Sequence, residues 1–394
     1  MRISTARLGA ALGGSFLVLL LSLTGAQAQK AAARYEEKRR ESNDIAVSIV
    51  VSGLTCTCAR FAEDIRNVVN DLRPDGLRVL PVLGVGGLQN LSDVLFLKGI
   101  DMGVVDEDNL VLLKKRDPAL YANIEQRVQY ITKLYNSELH VLARNDIKSY
   151  DDLRGKKVSF NQKDSQTDVS AQIIFDMLKI DVQRVNYDND EAFNRLKSGD
   201  ISAMIVLSGA PQALMVKAQR EDNVHFLPLD ERSLPNHDVR SILARYLPSE
   251  LTHEEYPALI PEGTSVSTVG NRSLLVTYAW PEGSVRYNKI GKFVREFFGK
   301  IDLFHDGARH PKWKEINLAA EMPGWTRFKP AADWLAEHRN SNPPTVALRP
   351  AFDQFVQNYS RSAGLKAIPH RDRDALFIKF QQFLQTQLPA QAAR

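Results

Sequence analysis

Leu97-Lys98-Gly99-Ile100-Asp101-Met102-Gly103-Val104-Val105-Asp106 decides the reading of this chain, because it returns later as Leu196-Lys197-Ser198-Gly199-Asp200-Ile201-Ser202-Ala203-Met204-Ile205-Val206. In each copy an amphipathic helix closes on a glycine turn, and a short apolar strand follows. The copies lie about a hundred residues apart, roughly the length of one small domain. Two echoing helix–turn–strand units predict two similar α/β lobes with a ligand cleft between them.

Working back from the first copy, Ile45 to Val51 reads as a strand. A helix follows with Phe61, Ile65, Val68 and Leu72 on one face. Leu77 to Leu83 is a second strand, and Gly84-Val85-Gly86-Gly87 turns into a helix carrying Leu88, Leu91 and Leu95. Working forward, Tyr130–Tyr135 and Leu139–Ala143 read as paired strands leaving the first lobe. A short helix and strand span Tyr150–Phe160, and a polar loop opens a helix with Val169, Ile173, Met177 and Ile180 inward. Ser208-Gly209-Ala210-Pro211 reads as a turn whose proline opens another helix. Ser267–Val269 and Leu274–Tyr278 return as strand, and Ser284–Ile301 is an amphipathic helix. Strands alternating with helices imply largely parallel sheets covered by helices.

The expected organisation is a signal segment over 1–28, a polar leader over 29–44, and a first part of lobe 1 over 45–143. Lobe 2 then covers 144–266, lobe 1 returns over 267–340, and a helical tail covers 341–394. The signal reading rests on Arg2 and Arg7, the apolar stretch Leu8–Leu23 and the small-x-small site Ala26-Gln27-Ala28. Cleavage after Ala28 and a periplasmic location are the expectation. Losing Arg2 and Arg7 lowers the formal charge from +4 to +2, because the segment holds no acids. That near-balance argues against nucleic acid as a partner and against a polybasic membrane patch. At 44% hydrophobic and 25% charged, the chain is ordinary globular material.

The only cysteines are Cys56 and Cys58. Three readings stay open: free buried thiols, a labile disulfide that could act as a redox pair, or metal binding with further ligands. Ser52–Cys58, Gly84–Asn90 and Asn161–Asp168 each place free backbone N–H groups at an expected helix N-terminus, with Ser208–Pro211 as a fourth. Such ends suit carboxylates and other small anions. Lys163 could pair with a ligand carboxylate. No histidine pattern builds a metal site, and no nucleophile elbow or phosphate loop appears. Neither an enzyme nor a cofactor is expected.

Taken in order, several phrases resemble the TAXI solute-binding receptors of TRAP transporters, which have the type II periplasmic-binding-protein fold. They are Gly84–Asn90, Gly99–Val105, Leu134-Tyr135 with Leu139–Val141, Ile147–Val158, and Gly199–Ala203 with Ser208–Pro211. The resemblance runs from about Ile45 to about Leu335. It implies a two-lobed α/β receptor, each lobe a mostly parallel sheet flanked by helices. Such a receptor captures a small organic anion or amino acid and delivers it, as a monomer, to a membrane transporter subunit. Matching positions place Gly53, Thr55, Gly86, Gln89, Asn90 and Asp106 on the first lobe's side of the ligand. Tyr135 falls near the hinge, and Ser165, Thr167, Ser208 and Gly209 on the second lobe's side. Leu54–Phe61 and Asn161–Asp168 depart from the family's Gly-rich loops, adding bulk or charge where the ligand would lie. The alternative is a sensor or protein-interaction module built on the same fold.

Overall fold

The computed structural model describes residues 27, 29–71, 73 and 76–338. The tail 341–394 and all of the expected signal segment except Gln27 lie outside the described residues, as does Leu72. Residues 29–44 form a helix (α1) exposed along its whole length.

The strands form one mixed sheet in which two parallel trios flank two long antiparallel strands. In the first trio, β1 (Ala46–Val51) lies between β2 (Arg78–Leu83) and β3 (Met102–Asp106). In the second, β5 (Lys157–Ser159) lies between β6 (Gln183–Val185) and β7 (Ala203–Ser208). Both trios have the same order: second strand, first strand, third strand. The crossovers α2 (Thr57–Val69) and α3 (Gly87–Phe96) serve the first trio. Those of the second are α6 (Gln166–Leu178) and α7 (Asn189–Ser198). The repeated phrase leads into β3 and β7, the third strand of each trio, so the echo marks topologically equivalent positions.

Between the trios run β4 (Val128–Arg144), which pairs antiparallel with β7, and β10 (Ser265–Tyr278), which pairs antiparallel with β3. The two also pair with each other. Here the structure corrects two expectations. Tyr130–Tyr135 and Leu139–Ala143 are one strand, not a pair, and Ser267–Val269 and Leu274–Tyr278 are likewise continuous. The ladder survives the polar triplets because backbone pairing does not depend on side-chain polarity: Glu138, Ser137 and Asn136 sit opposite Gly270, Asn271 and Arg272.

Side-chain alternation gives each half a core on both faces of the sheet. Val47, Ile49 and Val51 face one cluster with Phe61, Ile65 and Trp313, while Val50 faces the other with Leu91 and Leu274. In the second half Ala203, Ile205 and Leu207 face one way, and Met204 and Val206 the other. β4 gives Leu134 to the first half's core and Leu139 to the second's, so it joins the two halves without a loop. Phe61 stacks on Trp313 at 4.1 Å between centroids. Burying a side chain of this size stabilises the fold by roughly 1.5–3 kcal/mol.

Helix α9 (Val285–Gly299) buries Ile290, Phe293, Val294 and Phe297, as expected from their spacing. Helix α6 departs from expectation. Its buried face is Ser170, Ala171, Ile174, Phe175 and Leu178; Ile180 is buried just beyond it, Ile173 and Met177 are half-buried against the same core, and Val169 is half-buried. Val169 instead packs against a core cluster of the first half. No α-helix starts at Pro211: the Ala210–Pro211 peptide is cis, and the chain next makes a short 3₁₀ turn at Met215–Lys217. The fourth expected anion-binding helix end therefore does not form.

Candidate functional site

The C-terminal ends of β1, β3 and β7 and the N-termini of α2, α3 and α6 converge where the two halves meet, as in open α/β sheets generally. Between them lies a cavity of about 50 Å³, lined from both halves. That is room for about one or two waters, against the hundreds of cubic ångströms typical of sites for larger organic ligands. Direct contacts between the halves narrow it.

Three helix starts build its walls. Cys56 caps α2, Ser165 caps α6 through its hydroxyl, and Gly86 starts α3 at φ 94°. Gly87 follows at φ 53°, and a Cβ there would lie 2.6 Å from the Gln166 amide nitrogen. Only glycine lets the starts of α3 and α6 approach this closely. Their positive ends therefore face each other.

The halves are tied by hydrogen bonds from polar side chains. Thr57 donates its amide to Ser208 Oγ at 3.1 Å and its hydroxyl to the Gly209 carbonyl at 2.6 Å. Asn189 donates to Thr55 Oγ1 at 2.9 Å, and Gln212 donates to the Thr55 carbonyl at 2.8 Å. Gln166 accepts from Asn109 and donates to Asp108 Oδ1, which also accepts from Asn271. At the rim Arg116 meets Asp164 at 3.0 Å.

Asp106 is the one charged side chain lining the cavity among the described residues. Its Oδ1 accepts from Ser273 at 2.7 Å, and Ser273 in turn meets Ser137 at 2.8 Å. Burial, with nearby Asp108 adding to it, pushes the Asp106 carboxyl up to about 8. At neutral pH it is mostly protonated, and so able to donate a hydrogen bond. Beneath the site, Lys312 meets Glu138 at 2.8 Å, both almost fully buried, and Glu138 also accepts from the Ala210 amide. The paired carboxylates Glu138 and Glu315 hold Lys312 above its usual range despite burial.

Seven of the expected residues line the cavity: Gly86, Asn90, Asp106, Tyr135, Ser165, Thr167 and Ser208. Besides Asp106, Ser165 and Ser208, two more of these are held by the fold. Asn90 bonds the Gly86 amide and the Val104 carbonyl, and Thr167 accepts from the Leu207 amide. Four expected residues do not line it. Gln89 is exposed and donates to Asp93. Thr55 faces an outer groove and Gly53 stands in open space. Gly209 packs under Thr57, Tyr135 and Lys312. Lys163 is exposed and does not line the cavity. Sequence reasoning missed Ser137, Gln166 and Asn189 on the lining, and Ser273 behind it. The signal for two of them was present: Asn136-Ser137-Glu138 and Asn271-Arg272-Ser273 are polar triplets inside apolar runs.

Cys56 and Cys58 form a disulfide with Cα atoms 5.2 Å apart, which overturns the free-thiol reading. Among the described residues no group of three His, Cys, Asp or Glu side chains could hold a metal. No described helix is long and apolar enough to cross a membrane.

Among solved structures, the chain is similar to one described as a periplasmic transporter (12% identity, 75% of this chain, 97% of that one, TM-score 0.44). It is also similar to an ancestral arginine-binding protein bound to arginine (15% identity, 66% and 96%, TM-score 0.40). A third is the periplasmic aliphatic sulphonate binding protein SsuA from Escherichia coli (15% identity, 85% and 82%, TM-score 0.36). The NMT1-like family matches residues 85–319, most of both halves and the strands that join them, and the chain belongs to that family.

Proposed function

We propose that this protein is an extracytoplasmic solute-binding receptor that acts without catalysis. The observation that carries the reading is the small cavity lined from two halves of matching strand order, at the meeting point of three helix N-termini. The family membership and the names of the similar structures support it. The halves open to admit a small polar solute and close over it, a two-state change in which the solute favours the closed form. Backbone N–H groups at the helix starts, with protonated Asp106 as a further donor, suit a carboxylate-bearing molecule. Delivery by a monomer to a TRAP-type transporter subunit, as for TAXI receptors, is the finer form of the proposal.

The test is a thermal-shift panel of amino acids, dicarboxylates, keto acids and sulphonates. A solute at about a hundred times its dissociation constant adds about 2.7 kcal/mol to the native state. The hit should also compact the protein in small-angle scattering. A hit without compaction breaks the lobe-closure mechanism. The second reading, a sensor or interaction module, is favoured by the cavity's small volume. Silence across the panel with a cooperative melt selects it.

A further inference from the structure

Cys56 and Cys58 both line the cleft cavity but differ in what else they face. Cys58 is almost fully buried, and its Sγ accepts the Ser52 amide at 3.2 Å. Cys56 is half-buried and lines an outer groove of about 610 Å³ that also reaches Pro211 and Ala213 of the second half. Both sulfurs sit at the start of the 13-residue α2, the positive end of its dipole, which favours negative charge. Between the two cysteines stands Thr57, whose amide and hydroxyl tie the halves together at Ser208 and Gly209.

We propose that Cys56–Cys58 is an exchangeable disulfide, attacked by small thiols at Cys56, and that its reduction frees Thr57 from the second half. An external thiolate entering by the groove forms a bond to Cys56 Sγ. The Cys56–Cys58 bond breaks and its electron pair leaves on Cys58. The Ser52 amide and the helix start stabilise that thiolate; Cys56 Sγ accepts the Cys58 amide at 3.1 Å, so the burial of Cys58 is what leaves Cys56 as the sulfur a thiol reaches. A second thiol attacks the mixed disulfide, releasing Cys56 as a thiol and a symmetrical disulfide of the reductant. Two external thiols thus give up two electrons, and the protein disulfide takes them up. The short ring closed by the disulfide fixes the backbone on both sides of Thr57. Opening it gives Thr57 conformational freedom that its cross-cleft bonds must then overcome. The effect on the cleft rests on the receptor reading; the exchange chemistry does not.

The test uses the full chain, purified without reductant, then treated with glutathione, alkylated with iodoacetamide and mapped by mass spectrometry. No label is expected before glutathione, and label on both cysteines after it, with no denaturant present. Given oxidised glutathione, Cys58→Ser should form a mixed disulfide at Cys56, releasing one reduced glutathione, at least about tenfold faster than Cys56→Ser does at Cys58. On the unmutated protein, hydrogen exchange at the Thr57 amide should speed up at least about tenfold on reduction. Label before any reductant overturns the proposal. So does a disulfide that yields only in urea, equal capture by the two variants, or unchanged exchange at Thr57. None of these readouts uses a solute, so their failure is separable from a silent ligand screen.

Discussion

The third strands of the two halves end differently. β3 ends on Asp106, a buried acid facing the cavity, whereas β7 ends on Ser208, a hydroxyl that accepts an amide from the opposite half. The same topological position thus carries a proton-dependent group on one side and a tie that does not titrate on the other. Repetition of a unit places a residue; the side chain there decides what the position does. The first half contributes titration to the cleft, and the second contributes closure.

The largest effect should come from breaking what lies under both strand ends. Lys312→Met leaves Glu138 buried without its partner and should cost about 3–5 kcal/mol, read as a fall in urea midpoint. Glu138→Gln in the same chain should recover part of the loss. An unchanged midpoint in the single variant would mean the pair does not hold the base of the cleft.

Gly87→Ala tests closure directly. The added Cβ meets the Gln166 backbone at a positive φ, so the halves must part and the scattering radius should rise. Equal radii for variant and parent would sink the account of how α3 and α6 approach.

Asp106→Asn sharpens the contrast between the strand ends. The folded-state pKa of Asp106 is raised, so the folded chain holds a proton that the unfolded chain releases. Its contribution to stability is full below about pH 4 and is lost as pH rises through about 8. The variant should therefore gain on its parent as pH increases across that window, while Ser208→Ala should shift stability by a constant amount. Parallel pH profiles for Asp106→Asn and its parent would refute the raised pKa.

The smallest effect belongs to Gln89→Ala. Gln89 is exposed and bonds only Asp93 on its own helix, so stability should change by less than about 0.5 kcal/mol. Solute affinity should stay the same, and a tenfold loss in calorimetry would return Gln89 to the site.

Much of the architecture was legible because it rests on local periodicity. Val47, Ile49 and Val51 alternate, Phe61 and Ile65 recur at helical spacing, and the glycine turns punctuate both repeats. The cleft floor was harder to read. Asn136-Ser137-Glu138 looks like a break between strands because polar residues usually leave the core. Here they stay in the ladder: Ser137 meets Ser273, which bonds Asp106, and Glu138 on the other face meets Lys312. Gln89 was misplaced by register, since its neighbours Leu88 and Asn90 both point inward. Gln166 and Asn189 act across the cleft on partners far away in sequence, and nothing local announces such pairs. Pro211 reads as a helix start, but only a short 3₁₀ turn follows, at Met215–Lys217.

The continuous passage of β4 and β10 through the cleft has a consequence for assembly. The second half is built mainly from one uninterrupted stretch between these strands, whereas the first half needs α9 and the end of β10 to complete its core. A chain emerging from its N-terminus makes the second half's helices and inner strands before the first half can close. The first half must wait, with Phe61 and Ile65 uncovered, until Phe293 and Trp313 arrive. The region made first therefore finishes late and is the one most in need of a chaperone while the chain folds.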